Sequence, residues 1–288
     1  MRRLAALIAG LALLGLAGTA DAASPFAGWA AVFVAGDNRD HDGGPSEGFD
    51  NARRDLAQAF VAAGFSPENI RQFSVRPERY PDTRPMKSEL IEIATELGRL
   101  TTKAPEGCLI YFTSHGSPQG ALVGDEILSP NLAKFLVTSA CADRPTVVVI
   151  SACYSGVFVP ALQSPNRVVL TAARPDRSSF GCGQNDKYPY FDACMLESVP
   201  TSNDFAILGR AAQTCVTKRE QAENLTPASE PQLSIGGGVR PMLPLYPFAK
   251  APTAFAAGGT AGAPTAACGS DPRRPSGAAE TACGRSRP

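Results

Sequence analysis

Apolar runs of strand length alternate with segments of helical period through the middle of the chain. The run WAAVFVA at residues 29–35 is apolar throughout and stops at Gly36-Asp37-Asn38, as a strand buried on both faces does. Residues 39–47, rich in Gly and Asp, predict a loop. Phe49, Ala52, Leu56, Phe60 and Ala63 then recur at three- and four-residue spacing, and Gly64 closes that helix. Residues 70–75 predict a second strand. Met86, Leu90, Ile93, Leu97 and Leu100 mark a second helix, and CLIYFTS at 108–114 a third strand. Ser129-Pro130 supplies an N-cap followed by proline at the first helical position, with Leu132, Phe135 and Leu136 turned inward. TVVVIS at 146–151 and RVVLTA at 167–172 predict the fourth and fifth strands.

The connections between these strands are too long for hairpins, so the strands should be mostly parallel, in one α/β sheet with helices on both faces. Such folds gather functional residues at the carboxyl ends of their strands. Here those ends are Asp37-Asn38, Ser114-His115-Gly116 and Ser151-Ala152-Cys153. The chain has 288 residues, and at about 100–200 residues per domain one domain over 23–248 is the simplest reading. From residue 249 the composition shifts to Ala, Gly, Pro, Thr and Arg with no apolar period, which predicts a disordered tail over 249–288.

Charge and cysteine content narrow the setting. Twenty-seven basic residues balance 27 acidic ones, so no net field draws the chain to nucleic acid or to an acidic membrane surface. Arg2 and Arg3 precede an uncharged apolar run over 4–17, and the small triplet Ala20-Asp21-Ala22 follows. This is the pattern of a secretory signal peptide over 1–22, cut after Ala22. It is too short for a membrane span of about 20 apolar residues. A periplasmic or secreted protein without stable membrane insertion is therefore expected. Eight cysteines in such a compartment predict disulfides, with Cys268 and Cys283 suited to a local bridge in the tail. If Cys153 stays free, seven others remain and at least one of them is left without a partner inside the chain.

The chain has only two histidines, His41 and His115, so an imidazole base must be one of them. His115 and Cys153 each follow a buried strand directly, and the two strands are successive. Their side chains are therefore expected side by side at one edge of the sheet, as a base and a nucleophile. Gly116 admits close approach of a substrate carbonyl, and the amides of Gly116 and Cys153 are candidate oxyanion donors. Asn38, at the end of the first strand, is a candidate to orient His115. His41 sits among Asp40, Asp42, Gly43 and Gly44 in the loop, as a solvated histidine or a contact to substrate. Gly236-Gly237-Gly238 lacks the Lys-Ser/Thr of a phosphate loop, Ser155 does not complete a Gly-x-Ser-x-Gly turn, and no Cys/His spacing suggests zinc.

Three ordered stretches carry a family resemblance: LIYFTSHG at 109–116, VISACYSG at 149–156 and TAARPDRSSFGC at 171–182. Together they resemble the legumain (asparaginyl endopeptidase) family of caspase-like cysteine peptidases, over roughly residues 29–199. The resemblance implies a caspase-like α/β fold, His115 as general base and acid, and Cys153 as nucleophile. It also implies peptide-bond hydrolysis through an acyl-enzyme, with no metal or organic cofactor and a peptide or protein as the partner. Ser151, Ser178 and Asp192 resemble positions lining the pocket for the residue before the cleaved bond. There Asp192 is expected to accept from an Asn amide or to pair with Lys or Arg. Legumains have Glu where this chain has Ser151, an acidic residue where it has Tyr154, and an Arg-His pair where it reads Glu47-Gly48-Phe49-Asp50. The expected function is a legumain-like cysteine endopeptidase. The alternatives are a peptide transpeptidase or ligase on the same fold and a non-catalytic peptide-binding protein.

Overall fold

Strand β1 (Trp29–Ala35) is buried along its whole length, as its unbroken apolar run requires. The computed structural model describes residues 23–249. The predicted signal segment, the tail from residue 250 and the Cys268 and Cys283 pair lie outside the described residues. After β1 come α1 (Gly48–Ala62), β2 (Ile70–Ser74), β3 (Met86–Lys87), α2 (Leu90–Lys103) and β4 (Gly107–Thr113). Three short strands follow, β5 (Gly116–Ser117), β6 (Gly120–Val123) and β7 (Glu126–Leu128), and then α3 (Pro130–Cys141) and β8 (Thr146–Ser151). The chain continues through α4 (Val159–Leu162), β9 (Arg167–Thr171), α5 (Tyr190–Ser198), α6 (Phe205–Ala222) and β10 (Gln232–Ile235).

The main sheet has seven strands in the order β10-β9-β8-β4-β1-β2-β3. All neighbouring pairs are parallel except β10 on β9. The mostly parallel sheet expected from the long connections is thus present, in one domain. Alternation along each strand divides the core in two. On one face Trp29, Phe33, Tyr111 and Val149 pack with Leu56, Phe60, Met195 and Phe205 from α1, α5 and α6. On the other, Val32, Val34, Ile110 and Ile150 pack with Leu97, Leu136 and Leu162 from α2, α3 and α4. Strands covered on both sides cannot slip by one residue without exchanging the two cores, so the register at the strand ends is strongly specified.

Several local readings are confirmed by their physical signals. The Ser129 hydroxyl accepts from the Leu132 amide, and Gly64 takes a positive φ just after α1. Others are corrected. Met86 belongs to β3, paired with Phe73, and the helix begins at Leu90, because Met86 completes a sheet edge where the helical period merely coincides. Leu132 and Phe135 face outward, Phe135 with 69% of its surface exposed, and of the expected inward trio only Leu136 is buried. The small sheet β5-β6-β7, the α5/α6 pair and the antiparallel β10 were not anticipated. Cys108 bonds Cys141, tying β4 to α3, and Cys194 bonds Cys215, tying α5 to α6. Cys153 and Cys182 are free thiols.

Candidate active site

Parallel pairing brings three strand ends to one edge. Thr113 of β4 lies opposite Ser151 of β8 and opposite Ala35 of β1, so the segments beginning at Ser114, Ala152 and Gly36 leave the sheet side by side. The Ser114 amide still donates to the Ser151 carbonyl at 3.0 Å, carrying the pairing one step past the strand. Gly116 then packs directly on the Cys153 backbone. A β-carbon there would stand 2.2 Å from the Cys153 carbonyl oxygen and 2.9 Å from the Ala152 Cβ, so no larger residue fits without moving the two strand ends apart. His115 and Cys153 are thereby brought to neighbouring positions, both partly exposed.

Cys153 sits at the apex of a sharp turn. The next residue, Tyr154, adopts a left-handed backbone (φ 58°, ψ 12°), uncommon for a non-glycine residue and costing roughly 1–3 kcal/mol. The turn is held by the Tyr154 amide donating to the Arg177 carbonyl at 2.8 Å, while among the described residues the Cys153 amide has no partner. The Ser179 amide donates to Cys153 Sγ at 3.3 Å, and the Ser179 carbonyl and hydroxyl oxygens each lie 3.6 Å from it. Ser178, the neighbour singled out from sequence, is exposed, and the sulfur contacts belong to Ser179.

His115 is fixed by its surroundings. Its Nε2 lies 3.0 Å from the Arg39 carbonyl; a carbonyl only accepts, so Nε2 is the donor and, in the neutral ring, Nδ1 is left with the lone pair. Asn38, expected as a candidate to orient His115, is not the partner in this contact. Asn38 instead gives its carbonyl to the Ser46 amide, and the acceptor for His115 comes from the next residue's main chain. The buried Asp37 carboxylate accepts from the Asn38 and Arg39 amides and from Arg39 Nε, so this Asx turn aims the Arg39 carbonyl. On the ring's flank, Phe49 lies edge-to-face with His115, centroids 5.0 Å apart at 81°.

Two pocket candidates lie deeper than expected. Asp192 has no exposed surface. Its Oδ1 accepts from the Tyr111 hydroxyl and its Oδ2 from the Thr113 hydroxyl, both at 2.6 Å. Burial pushes its carboxyl up to about 6, against the lowering effect of the Thr113, Tyr111 and Ser151 hydroxyls. Ser151 is likewise buried. In this structure both lie buried beneath the site and neither offers surface to a substrate. His41 is exposed, bonded through its amide to the Cys182 carbonyl, and with Asp37, Arg39, Asp40 and Gly43 it lines an open hollow beside His115. Cys182 was not singled out from sequence. Burial, then the neighbouring Cys153 and Asp186, push its thiol up to about 11.

Residues 93–204 match the Peptidase C13 family, a span that contains His115, Cys153, Ser178 and Asp192. Among solved structures the fold is similar to caspase-1 from Spodoptera frugiperda, at 14% identity and a TM-score of 0.52, over 74% of this chain and 88% of that one. No curated protein matches the chain. Family and fold together support a cysteine peptidase. Residues 93–204 are thus similar to the Peptidase C13, or legumain, family, and the chain carries a caspase-like fold.

Proposed function

We propose that the protein is a cysteine endopeptidase in which Cys153 is the nucleophile and His115 the general base and acid. The observation that carries this reading is the pairing of the β4 and β8 ends, which places the two residues side by side within the C13 span. With Nε2–H engaged by Arg39, Nδ1 takes the thiol proton. The Cys153 sulfur attacks the scissile carbonyl carbon, and the electron pair of the C=O bond moves to oxygen. The amides of Gly116 and Cys153 stabilise that oxyanion. Collapse breaks the C–N bond, His115 returns its proton to the leaving amine, and a thioester remains on Cys153. Water, deprotonated by His115, then releases the carboxylic acid.

The natural setting follows from the same reading. An N-terminal segment with the pattern of an export signal and two disulfides among the described cysteines favour a periplasmic or secreted enzyme acting on peptides or proteins. The test is a peptide-library digest by the wild type and by Cys153→Ala. Cleavage by the first and none by the second is expected. Cleavage that survives in Cys153→Ala, or a wild type that cleaves nothing while its Cys153 alkylates no faster than Cys182, would remove the reading.

A further inference from the structure

Phe49 is buried, with 3% of its surface exposed, yet it belongs to neither apolar core. The core face of α1 begins at Ala52 and continues through Leu56 and Phe60. Phe49, one turn earlier, is left out of that cluster and of the one across the sheet. Its aromatic neighbour is His115, edge-to-face at 5.0 Å. A large apolar side chain that is buried without joining the core is held for what it touches.

Phe49 is well supported in that place. Asp50 and Arg53, in the same first turns of α1, form a fully buried ion pair at 3.0 Å. Gly48 abuts the Asp186 carbonyl and Pro189, and the Asn51 amide group donates to the Lys187 carbonyl. The helix start is thus pinned on both sides, and its ring cannot drift away from the imidazole.

We propose that Phe49 is a positioning residue for His115. The Nε2 bond to Arg39 fixes one ring atom but leaves the imidazole free to swing about that point. The Phe49 ring closes the flank toward α1, so that Nδ1 stays directed toward the β8 end, where Cys153 stands. The inference rests on the Cys153–His115 reading and deepens it. The charged or titratable groups beside the imidazole are Asp37, Arg39, Asp40 and His41 in the adjoining hollow, with Cys153 just past the end of β8.

The test measures the rate of Cys153 alkylation by iodoacetamide against pH, read by peptide mass spectrometry, in the intact protein and in Phe49→Leu, Phe49→Tyr and His115→Ala. This readout needs no substrate. Phe49→Leu keeps the site apolar and filled, and is expected to slow alkylation at neutral pH by about three- to tenfold, the value of one aromatic pair. Its profile should move toward that of His115→Ala, with thermal melting close to the wild type. Phe49→Tyr, which restores the ring, should recover the wild-type profile. A Phe49→Leu profile that coincides with the wild type while His115→Ala differs overturns the inference and leaves the dyad standing. A wild-type profile already equal to that of His115→Ala overturns both.

Discussion

The Ser179 backbone N–H points at the Sγ of Cys153 across 3.3 Å, while the Ser179 side chain reaches the same sulfur only at 3.6 Å. The main chain is therefore the closer partner, and the two contributions separate by mutation. Ser179→Ala keeps the amide and should retain activity within about threefold, since a long hydrogen bond to sulfur contributes under about 1 kcal/mol. Ser179→Pro removes the N–H and should lower kcat by at least about tenfold. Steady-state kinetics on a cleaved peptide, with circular dichroism to verify the fold, decide it. Equal losses in both variants would place the role in the hydroxyl.

Gly116 packs tightly against the Cys153 backbone where the segments after β4 and β8 meet. Because an added β-carbon would meet the Cys153 carbonyl oxygen at 2.2 Å, Gly116→Ala must push the start of β5, just past the end of β4, away from the turn that follows β8. Overpacking of this kind costs about 1–3 kcal/mol, and a displacement of about 1 Å at the dyad is enough for a hundredfold loss of rate. A folded Gly116→Ala variant with lowered melting temperature and nearly abolished kcat is expected. Wild-type kinetics would show that the two ends need not touch.

Asp192 makes stability depend on pH in the sense opposite to a salt-bridged carboxylate. Burial raises its folded value to about 6, whereas unfolded aspartates titrate near about 3.9. The folded state holds the proton more tightly, so the stabilisation is fully present below about pH 3.9 and is lost as the pH rises through about 6. Asp192→Asn has no such proton. The unfolding free energy of the wild type minus that of Asp192→Asn should therefore grow by about 2.4 kcal/mol between about pH 7.5 and pH 4. Urea unfolding across that range measures it, and a flat difference would mean the carboxyl is not desolvated.

The Asp50–Arg53 pair at the start of α1 is buried on both sides, and the Asp50 Oδ2 and Arg53 Nη2 atoms lack hydrogen-bond partners. Burial pushes the Asp50 carboxyl up and the Arg53 guanidinium down, each against the pull of the other. Removing one charge leaves the other without its main partner, Asp50 keeping only Arg76 Nη2 at 3.7 Å from its Oδ2, at about 3–5 kcal/mol. Asp50→Asn and Arg53→Met should each lose that much in denaturant unfolding. The double variant should lose clearly less than the sum. Strict additivity would show that the two charges do not interact.

Much of the fold was legible along the chain because a strand buried on both faces must be apolar at every position. The run at 29–35 meets that condition throughout and those at 108–114, 146–151 and 167–172 meet it through their middles, with Thr, Ser or Arg only near the ends, and each lies within one or two residues of β1, β4, β8 and β9. The same logic carried His115 and Cys153, since long connections force parallel pairing and parallel pairing collects the residues just past the strands. Amphipathic period was less decisive where it met an edge. Met86 fits the rhythm of α2 but pairs in β3, and Phe135 fits that of α3 but faces outward.

What composition and periodicity determined, then, was an α/β domain with a thiol and an imidazole at successive strand ends. Only the tertiary structure decided what surrounds them. The acceptor for His115 is the Arg39 carbonyl, and a main-chain oxygen leaves no mark on residue identity. Asp192 lies beneath the site because Tyr111 and Thr113, on a strand about 80 residues earlier in the chain, donate to it. Phe49 opens the apolar period of α1 and looks like core, yet it packs on His115, since whether a helix's first turn meets the sheet or the loops beyond its edge depends on how the helix is docked. Partners that are distant in sequence, and contacts made by backbone atoms common to all residues, exist only once the strands have paired.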